Sequence, residues 1–300
     1  MDRCETKECC GKAALQGGPI TLPGTDGHTG PWKLYNHLIA GIPADILVTD
    51  CCLGTHWSYV EAECGMGVSY TLTGGGRPAY SGVLSGLPLS AVAELSKSWN
   101  FREATLGVAA LNAWYSQEEK VLALGGRIDE GSKQEGIALP GAELPGSKKP
   151  SLLDSERVID PFVGLRDEYT GKKVTVIGHF PGVEAMSEIC ELTVLERNPR
   201  SALDTPDPAC EYLLPSQDFV FLTGVTLINK TLPRLLDLAK DAICVLVGPS
   251  VIPSGFLFKW GVDLLAGRVV LDPERIKLGV KQGIGFGGAL RMFALEKDCA

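Results

Sequence analysis

The sequence predicts an α/β protein in which an N-terminal α+β domain precedes a Rossmann-like domain built on a parallel sheet. Residues 171–198 indicate a strand, a glycine-containing turn, a helix and a second strand. After residue 160, short apolar runs alternate with helical patterns, which is typical of βαβ units. Before residue 125, strand patterns come first and helical patterns follow, which is the order of an α+β domain.

The first half opens with an amphipathic helix over 32–40 that Gly41 ends. Alternating and apolar runs then predict strands over 45–51, 57–62 and 67–72. A helix over 90–97 has Ser90 as its N-cap, and a longer helix over 101–115 has a face of small residues. From 125 to 150 glycine, proline and charged residues predict a linker.

The second half alternates predicted strands with predicted helices. The run 174–177 is short, β-branched and unalternating, which suits a parallel strand buried on both faces. A helix over 183–190 and a strand over 192–196 complete the first βαβ unit. The later patterns predict, in order, a short helix or turn over 211–215, a strand over 218–223, a helix over 231–240, a strand over 242–247 and a last strand over 267–271.

These elements divide the chain into four segments. We predict an irregular leader over 1–30 that is rich in cysteine and glycine, and an α+β domain over 31–128. A linker over 129–156 then leads into the Rossmann-like domain over 157–300.

Composition narrows the classes of function. The 300 residues carry a net charge of −8, which disfavours nucleic acid and anionic membranes as partners. The N-terminus lacks an apolar core, and the longest uncharged stretch is broken by prolines, so we expect a cytoplasmic protein without a membrane span. Ten cysteines occur without the paired C-x2-C spacing of a structural zinc site. The sequence leaves open whether identical chains form a homo-oligomer.

The order of motifs resembles a known family. The second half contains GKKVTVIGHFP, VLERNP, LLPSQDFVFLTGVTLINKT, VLVGPS and GVDLLAGRVV, and the first half contains GTHWS and LGVAALNAW. Together these motifs resemble the family described as "Putative heavy-metal chelation", over roughly residues 32 to 293. The resemblance implies an N-terminal domain with the fold of the enolase N-terminal region, followed by a Rossmann-like domain. It implies no enolase chemistry, because the enolase catalytic barrel is absent.

In an open parallel sheet, ligands bind beyond the carboxyl ends of the strands, at the point where the strand order reverses. Five loops are predicted to meet there. Their candidate ligand-binding residues are Gly178, His179, Phe180, Pro181, Glu196, Arg197, Thr223, Gly224, Asn229, Thr231, Gly248, Pro249 and Ser250.

His179 is the main candidate, since a histidine between a buried strand and a helix start can ligate a metal or transfer a proton. The alternative is a loop side chain that bonds nearby backbone. Glu196 lies where dinucleotide folds hold a ribose hydroxyl, about 20 residues after the glycine turn. It is equally interpretable as a solvated charge paired with Arg197. Asn229 and Thr231 also suit a turn and a helix cap, with Pro233 in the first turn.

The first half adds two candidates. Asn112 lies on the small-residue helix, either as a structural hydrogen-bonding group or as a group facing the second domain. His56 is a metal-ligand candidate that could join Cys51, Cys52 and Cys64 in a soft site. Adjacent residues on a strand point to opposite faces, which disfavours using both Cys51 and Cys52.

Two main hypotheses of function follow. In the first, the protein binds a transition or heavy metal ion, or a metal-bearing small molecule, in the interdomain cleft, with His179 and Glu196 as principal ligands. In the alternative, it is an enzyme using S-adenosylmethionine or NAD, with Glu196 on the ribose and His179 as general acid/base. The loop lacks the G-x-G-x-x-G pattern, which disfavours the usual NAD pose. A metal-responsive role for the leader cysteines is a third hypothesis.

Overall fold

A computed structural model describes residues 20, 22, 30–129 and 160–297. The chain forms two units that pack against each other. The first unit holds a three-stranded antiparallel sheet in the order β1-β2-β3, covered by helices. Its elements are α1 (Trp32–Ala40), β1 (Val48–Leu53), β2 (Trp57–Ala62), β3 (Gly65–Tyr70), α2 (Leu89–Ala93), a 3₁₀ helix (Glu94–Lys97), α3 (Phe101–Tyr115) and α4 (Glu118–Ala123).

The second unit is built on an eight-stranded sheet. Its strands are β4 (Arg127–Ile128), β5 (Lys173–Ile177), β6 (Glu191–Glu196), β7 (Asp204–Pro206), β8 (Phe219–Thr223), β9 (Ile243–Val247), β10 (Leu264–Val270) and β11 (Leu290–Glu296). Its α-helices are α5 (Pro161–Gly164), α6 (Arg166–Tyr169), α7 (Cys210–Leu213), α8 (Val225–Ile228), α9 (Leu232–Leu238) and α10 (Pro273–Gln282). Its 3₁₀ helices are Val183–Glu188, Asp207–Ala209, Leu214–Ser216 and Leu257–Trp260.

The strand order confirms the Rossmann-like prediction. The sheet runs β4-β11-β10-β9-β8-β5-β6-β7, and the six strands β5 to β10 are parallel to one another. Counted from β5, these six have the order 3-2-1-4-5-6 of the Rossmann fold, which reverses between β5 and β8. The apolar run predicted to be buried on both faces is the core of β5, where Val174, Thr175 and Val176 are fully buried.

The two units share one hydrophobic core. Leu34, Val108 and Leu111 of the first unit belong to the same buried cluster as Leu222 and Leu246 of the second. The short strand β4 pairs with β11, so the chain enters the second sheet before residue 130. The predicted leader and linker lie almost wholly outside the described residues, as do Cys4, Cys9, Cys10 and Cys299.

Several details differ from the sequence predictions. The helix predicted over 183–190 is a 3₁₀ helix over Val183–Glu188, because Gly182 is left-handed (φ 80°) and β6 already begins at Glu191. The helix predicted over 90–97 starts at Leu89 without a side-chain cap, so Ser90 is not its N-cap.

The end of the chain also differs. The strand predicted to be last, over 267–271, is β10, and it is followed by α10 and by the antiparallel strand β11. The start of α10 has a recognisable signal, since Asp272 caps it with a hydrogen bond from Arg275 N and Pro273 occupies the first turn.

Candidate functional site

The end of β5 and the end of β8 meet at the reversal point of the sheet. Gly178 follows β5 in the left-handed region (φ 96°), and a Cβ atom there would lie 3.0 Å from Thr223 Cγ2. Gly178 N also donates to Leu195 O at 2.9 Å, which ties this turn to β6. A side chain at position 178 would therefore fill the space where the three strand ends converge. The predicted loops of β5, β6 and β8 are brought together here.

His179 lies between two carboxylates. Its Nδ1 is 3.2 Å from Asp204 Oδ1, and its Nε2 is 3.0 Å from Glu184 Oε1. Asp204 begins the edge strand β7, and Glu184 lies on the 3₁₀ helix Val183–Glu188. Two separate elements thus orient one exposed imidazole. We call the three residues His179, Glu184 and Asp204 the His179 cluster.

Backbone groups fix the charge state of Asp204. Its Oδ2 accepts hydrogen bonds from Arg200 N at 2.7 Å and Ser201 N at 2.8 Å. These two N–H groups, and then His179, hold the pKa of the Asp204 carboxyl below its usual range. Because an ionised carboxylate only accepts hydrogen bonds, Nδ1 of His179 must carry the proton. Its Nε2 faces the Glu184 carboxylate at 3.0 Å, a contact that requires a proton or a cation between the two atoms.

Sequence reasoning found His179 but missed Glu184 and Asp204. Asp204 is 25 positions from His179 in the chain, and β7 is too short to give a recognisable strand pattern. Glu184 follows His179 closely, but in a predicted helix over 183–190 a glutamate has no local feature that distinguishes it from an ordinary solvent-facing residue. The available signal was the presence of several acidic residues near the histidine.

Glu196 lies where the sequence predicted, as the last residue of β6. Its Oε1 accepts a hydrogen bond from Asn198 N at 3.1 Å. The pairing of Glu196 with Arg197 that we considered is replaced by another, since Arg197 Nε bonds Asp207 Oδ2 at 2.9 Å. Phe180 packs on Phe162 with ring centroids 5.1 Å apart, and Pro181 is exposed.

The first unit covers the loops after β8 and β9. Ser250 is buried, and its hydroxyl accepts a hydrogen bond from Tyr70 N at 2.9 Å. Asn112 donates from Nδ2 to Val68 O at 3.0 Å and to Pro249 O at 3.3 Å, so it bonds both units. Gly248 adopts φ 111°, and a Cβ at Gly224 would lie 2.7 Å from Ser250 C. These predicted site residues are committed to packing and hydrogen bonds.

Asn229 and Thr231 form a local turn before α9. Thr231 donates from its hydroxyl to Asn229 Oδ1 at 2.6 Å, and Thr231 N donates to the same oxygen. Thr231 occupies the N-cap position, yet its side chain makes no capping bond there. The predicted helix start is therefore at the right position, but the accepting oxygen belongs to Asn229 and not to Thr231.

His56 lies in a different part of the molecule. It is exposed on the turn between β1 and β2, beside a surface cavity of about 170 Å³ that α10 and the glycines after it also line. Cys51 packs against the main core and Cys52 against a separate cluster, so they face opposite sides of the sheet as expected. Cys64 Sγ lies 3.6 Å from Ala113 O. Burial raises the pKa of the Cys51 thiol to about 11.

Within the described residues, no group of three or more histidine, cysteine, aspartate or glutamate side chains is arranged to hold a metal ion. No helix in the described ranges combines the length and apolar character that crossing a bilayer requires.

The fold and the site define a class: proteins with an antiparallel α+β unit seated on the carboxyl edge of a Rossmann-type sheet. Two family descriptions match, both worded "Putative heavy-metal chelation": DUF4213 over residues 35–115 and DUF364 over residues 160–296. A crystal structure from Desulfitobacterium hafniense, described as a DUF364 protein with unknown function, is 32% identical with a TM-score of 0.73, covering 89% of this chain and 99% of that one. The chain belongs to the DUF364 family.

Two further relatives are similar. A DUF364 protein with unknown function from Pyrococcus horikoshii is 23% identical, covers 88% of this chain and 98% of its own, and has a TM-score of 0.65, which supports the fold alone. An uncharacterized protein of Methanocaldococcus jannaschii is 35% identical over 137 residues, which are 42% of this chain. The match spans 53% of that curated relative's length.

Proposed function

We propose that this protein binds a metal ion carried by a small-molecule chelator, with His179 Nε2 and Glu184 Oε1 as its two protein donors. The single observation that carries the proposal is the His179 cluster at the open carboxyl edge of the sheet. Asp204 would act as the outer carboxylate that fixes the imidazole tautomer, an arrangement common behind metal-ligating histidines. The family description provides the class of guest.

The distance between the donors fits one ion. Nitrogen and oxygen ligands lie about 2.0–2.2 Å from a zinc-like ion, so two of them at right angles are about 3 Å apart. The separation of 3.0 Å between Nε2 and Oε1 matches this spacing. Imidazole and carboxylate together suit first-row transition metals. Two protein donors leave the remaining coordination positions for a ligand that arrives with the ion.

The test uses two metal chelates that differ in the number of coordination positions left open on the metal. The full chain is stripped of metal and its thermal unfolding is followed with Ni²⁺–nitrilotriacetate, which leaves two positions free, and with Ni²⁺–EDTA, which leaves none. At about 100 times its dissociation constant the open chelate should add about 2.7 kcal/mol of stability, and the closed one should add nothing. Equal shifts with both chelates would contradict the proposal.

Matched variants locate the site. Glu184→Gln should weaken binding of the open chelate at least ~10-fold, while Glu188→Gln, which changes an exposed carboxylate on the same 3₁₀ helix, should not. Asp204→Asn should lower affinity by about 10- to 100-fold without removing a direct donor. Retained affinity in His179→Ala would eliminate this site, and lost affinity in His56→Ala would move it to the other predicted histidine.

A second candidate function rests on the strand order. The order 3-2-1-4-5-6 and Glu196 at the end of the second parallel strand favour a nucleotide-like cofactor whose ribose Glu196 would bind. The six-residue 3₁₀ helix after Gly178 offers a poor seat for a diphosphate, so S-adenosylmethionine suits the site better than NAD. Stabilisation by S-adenosylmethionine that Glu196→Gln abolishes would favour this function; no stabilisation by either cofactor would eliminate it.

A further inference from the structure

Lys230 occupies an unusual backbone position where the two units meet. Among the described residues it is the one non-glycine residue with a positive φ, at 66°. It follows α8, where a helix often ends in a left-handed glycine or asparagine. Side chains other than these adopt this conformation at a cost, and such positions cluster at functional sites.

The amine of Lys230 bridges the two units. Nζ donates to Ile228 O at 2.8 Å in the second unit and to Ser98 O in the first. The rings of Trp99 and Phe101 lie 5.8 and 5.7 Å from Nζ, at the outer limit of cation–π contact. Trp99 itself is 57% exposed, so the amine lies close to the protein surface.

The acidic group whose charge acts on Lys230 is Glu103, and it is bonded elsewhere. Glu103 Oε1 accepts hydrogen bonds from Ala79 N and Tyr80 N, and Glu103 Oε2 accepts one from the Ser98 hydroxyl. Its charge acts on Lys230 from a distance, but burial has the larger effect and lowers the pKa of the lysine to about 7. A neutral amine has two N–H bonds, which the two carbonyl oxygens satisfy, and its lone pair is then free.

We propose that Lys230 is a reactive amine that condenses with the carbonyl group of an aldehyde- or ketone-bearing small molecule at the junction of the two units. The nitrogen lone pair forms a bond to the carbonyl carbon, and the C=O π electrons move to the oxygen. Both amine hydrogens then leave with that oxygen as water, which gives an imine without any oxidant or reductant. A desolvated lysine is the usual side chain for this chemistry. The inference uses none of the metal-donor residues proposed above.

The structural alternative is that Lys230 only caps two helix ends. A lysine near a helix C-terminus can bond the last carbonyls, and both of its partners have that position. Capping is served equally by the neutral amine and by the ammonium, and it requires no access of a carbonyl compound to the nitrogen. Nucleophilic reactivity near pH 7 therefore distinguishes the two roles.

The test is competitive reductive alkylation of the full chain. Propionaldehyde and sodium cyanoborohydride are added at pH 7 and at low conversion, and labelled lysines are quantified by peptide mass spectrometry. A lysine with a pKa near 10.4 is neutral in about one molecule in 2,500 at this pH, whereas an amine with a pKa of about 7 is about half neutral. Lys230 should be labelled at least ~10-fold faster than the exposed Lys240.

The pH profile and one variant complete the test. Labelling of Lys230 should level off above pH 8, whereas labelling of an ordinary lysine keeps rising there. Lys230→Arg keeps a cation at the junction and should lose the fast label while other sites are unchanged. The comparison within the wild-type chain decides the matter even if this variant does not fold. Labelling of Lys230 at or below the rate of Lys240 would overturn the proposal.

Discussion

The carboxyl edge of the parallel sheet has a covered half and an open half. At β8 and β9 the first unit lies on the strand ends, and Ser250 and Asn112 bond across the contact. At β5 and β6 the strand ends carry the exposed residues His179 and Arg197, each held by charged side chains. The polar groups of the covered half form hydrogen bonds between the two units. Those in the open half are left accessible, as the proposed function requires.

The largest loss of stability is expected in the covered half, where α3 packs closely against β3. A Cβ at Gly67 would lie 2.1 Å from Ala113 N and 2.2 Å from Ala109 O, which are backbone atoms that cannot rotate away. Gly67→Ala should therefore lower the free energy of unfolding by about 3 kcal/mol, measured by urea denaturation. Gly285→Ala, where the added Cβ meets open space, is the matched control. Equal midpoints for the two variants would show that α3 adjusts freely.

The next largest effect is expected from removing polar contacts, and it should differ between the two halves. Asn112→Leu keeps the branched shape of the side chain but leaves Val68 O, Pro249 O and the Ser116 hydroxyl without this partner. Burying such groups without bonds should cost about 2 kcal/mol. His179→Ala in the open half should change stability by less than about 0.5 kcal/mol, because its site is exposed.

Chemical denaturation of both variants makes this comparison. Asn198→Leu is the control for replacing an exposed asparagine, and its midpoint should match that of the wild type. A loss of stability in His179→Ala as large as that in Asn112→Leu would remove the distinction between the halves.

The sequence predicted the sheet better than the site, for a physical reason. Strands such as β5 and β9 are buried on both faces, so burial acts on every residue and leaves an apolar run that is readable locally. The reversal point followed from strand alternation, and it located His179, Glu196 and Thr223 correctly at strand ends.

Contacts between distant segments left no local signal. Asp204 reaches His179 across 25 positions, and Ser69 meets Ser250 across 181. Neither pair has a spacing that periodicity could detect. The left-handed backbone of Lys230 was likewise hidden, since lysine is not a residue that marks such a turn.

The stability of the junction between the two units should depend on pH through Lys230. Its pKa is lowered from 10.5 to about 7 by burial, so between these values the unfolded chain binds a proton that the folded chain does not. The free energy of unfolding should therefore rise with pH in this window, by at most about 1.4 kcal/mol per pH unit. Below about pH 7 both states are protonated, and the cost of burying the charge is fully present.

The difference between wild type and variant isolates this contribution. The stability of Lys230→Met relative to the wild type should fall as the pH rises from 7 to 9, because only the wild type gains stability in this window. Lys240→Met, at an exposed position, should give a curve parallel to that of the wild type. A constant difference between wild type and Lys230→Met across the window would show that the amine keeps its charge when folded.

The smallest effect is expected in the open half, at the ion pair of Arg197 with Asp207. Both side chains are more than a third exposed, and water screens their attraction, so Asp207→Asn should change the free energy of unfolding by less than about 0.5 kcal/mol. The exposed pair of Arg234 with Glu211 is a matched case, and Glu211→Gln should behave alike. Denaturation in low and high salt checks both variants. A loss above about 1 kcal/mol confined to Asp207→Asn would mean that the open half depends on its charges for stability. The charged residues around His179 and Glu196 would then have a structural role instead of the proposed binding role.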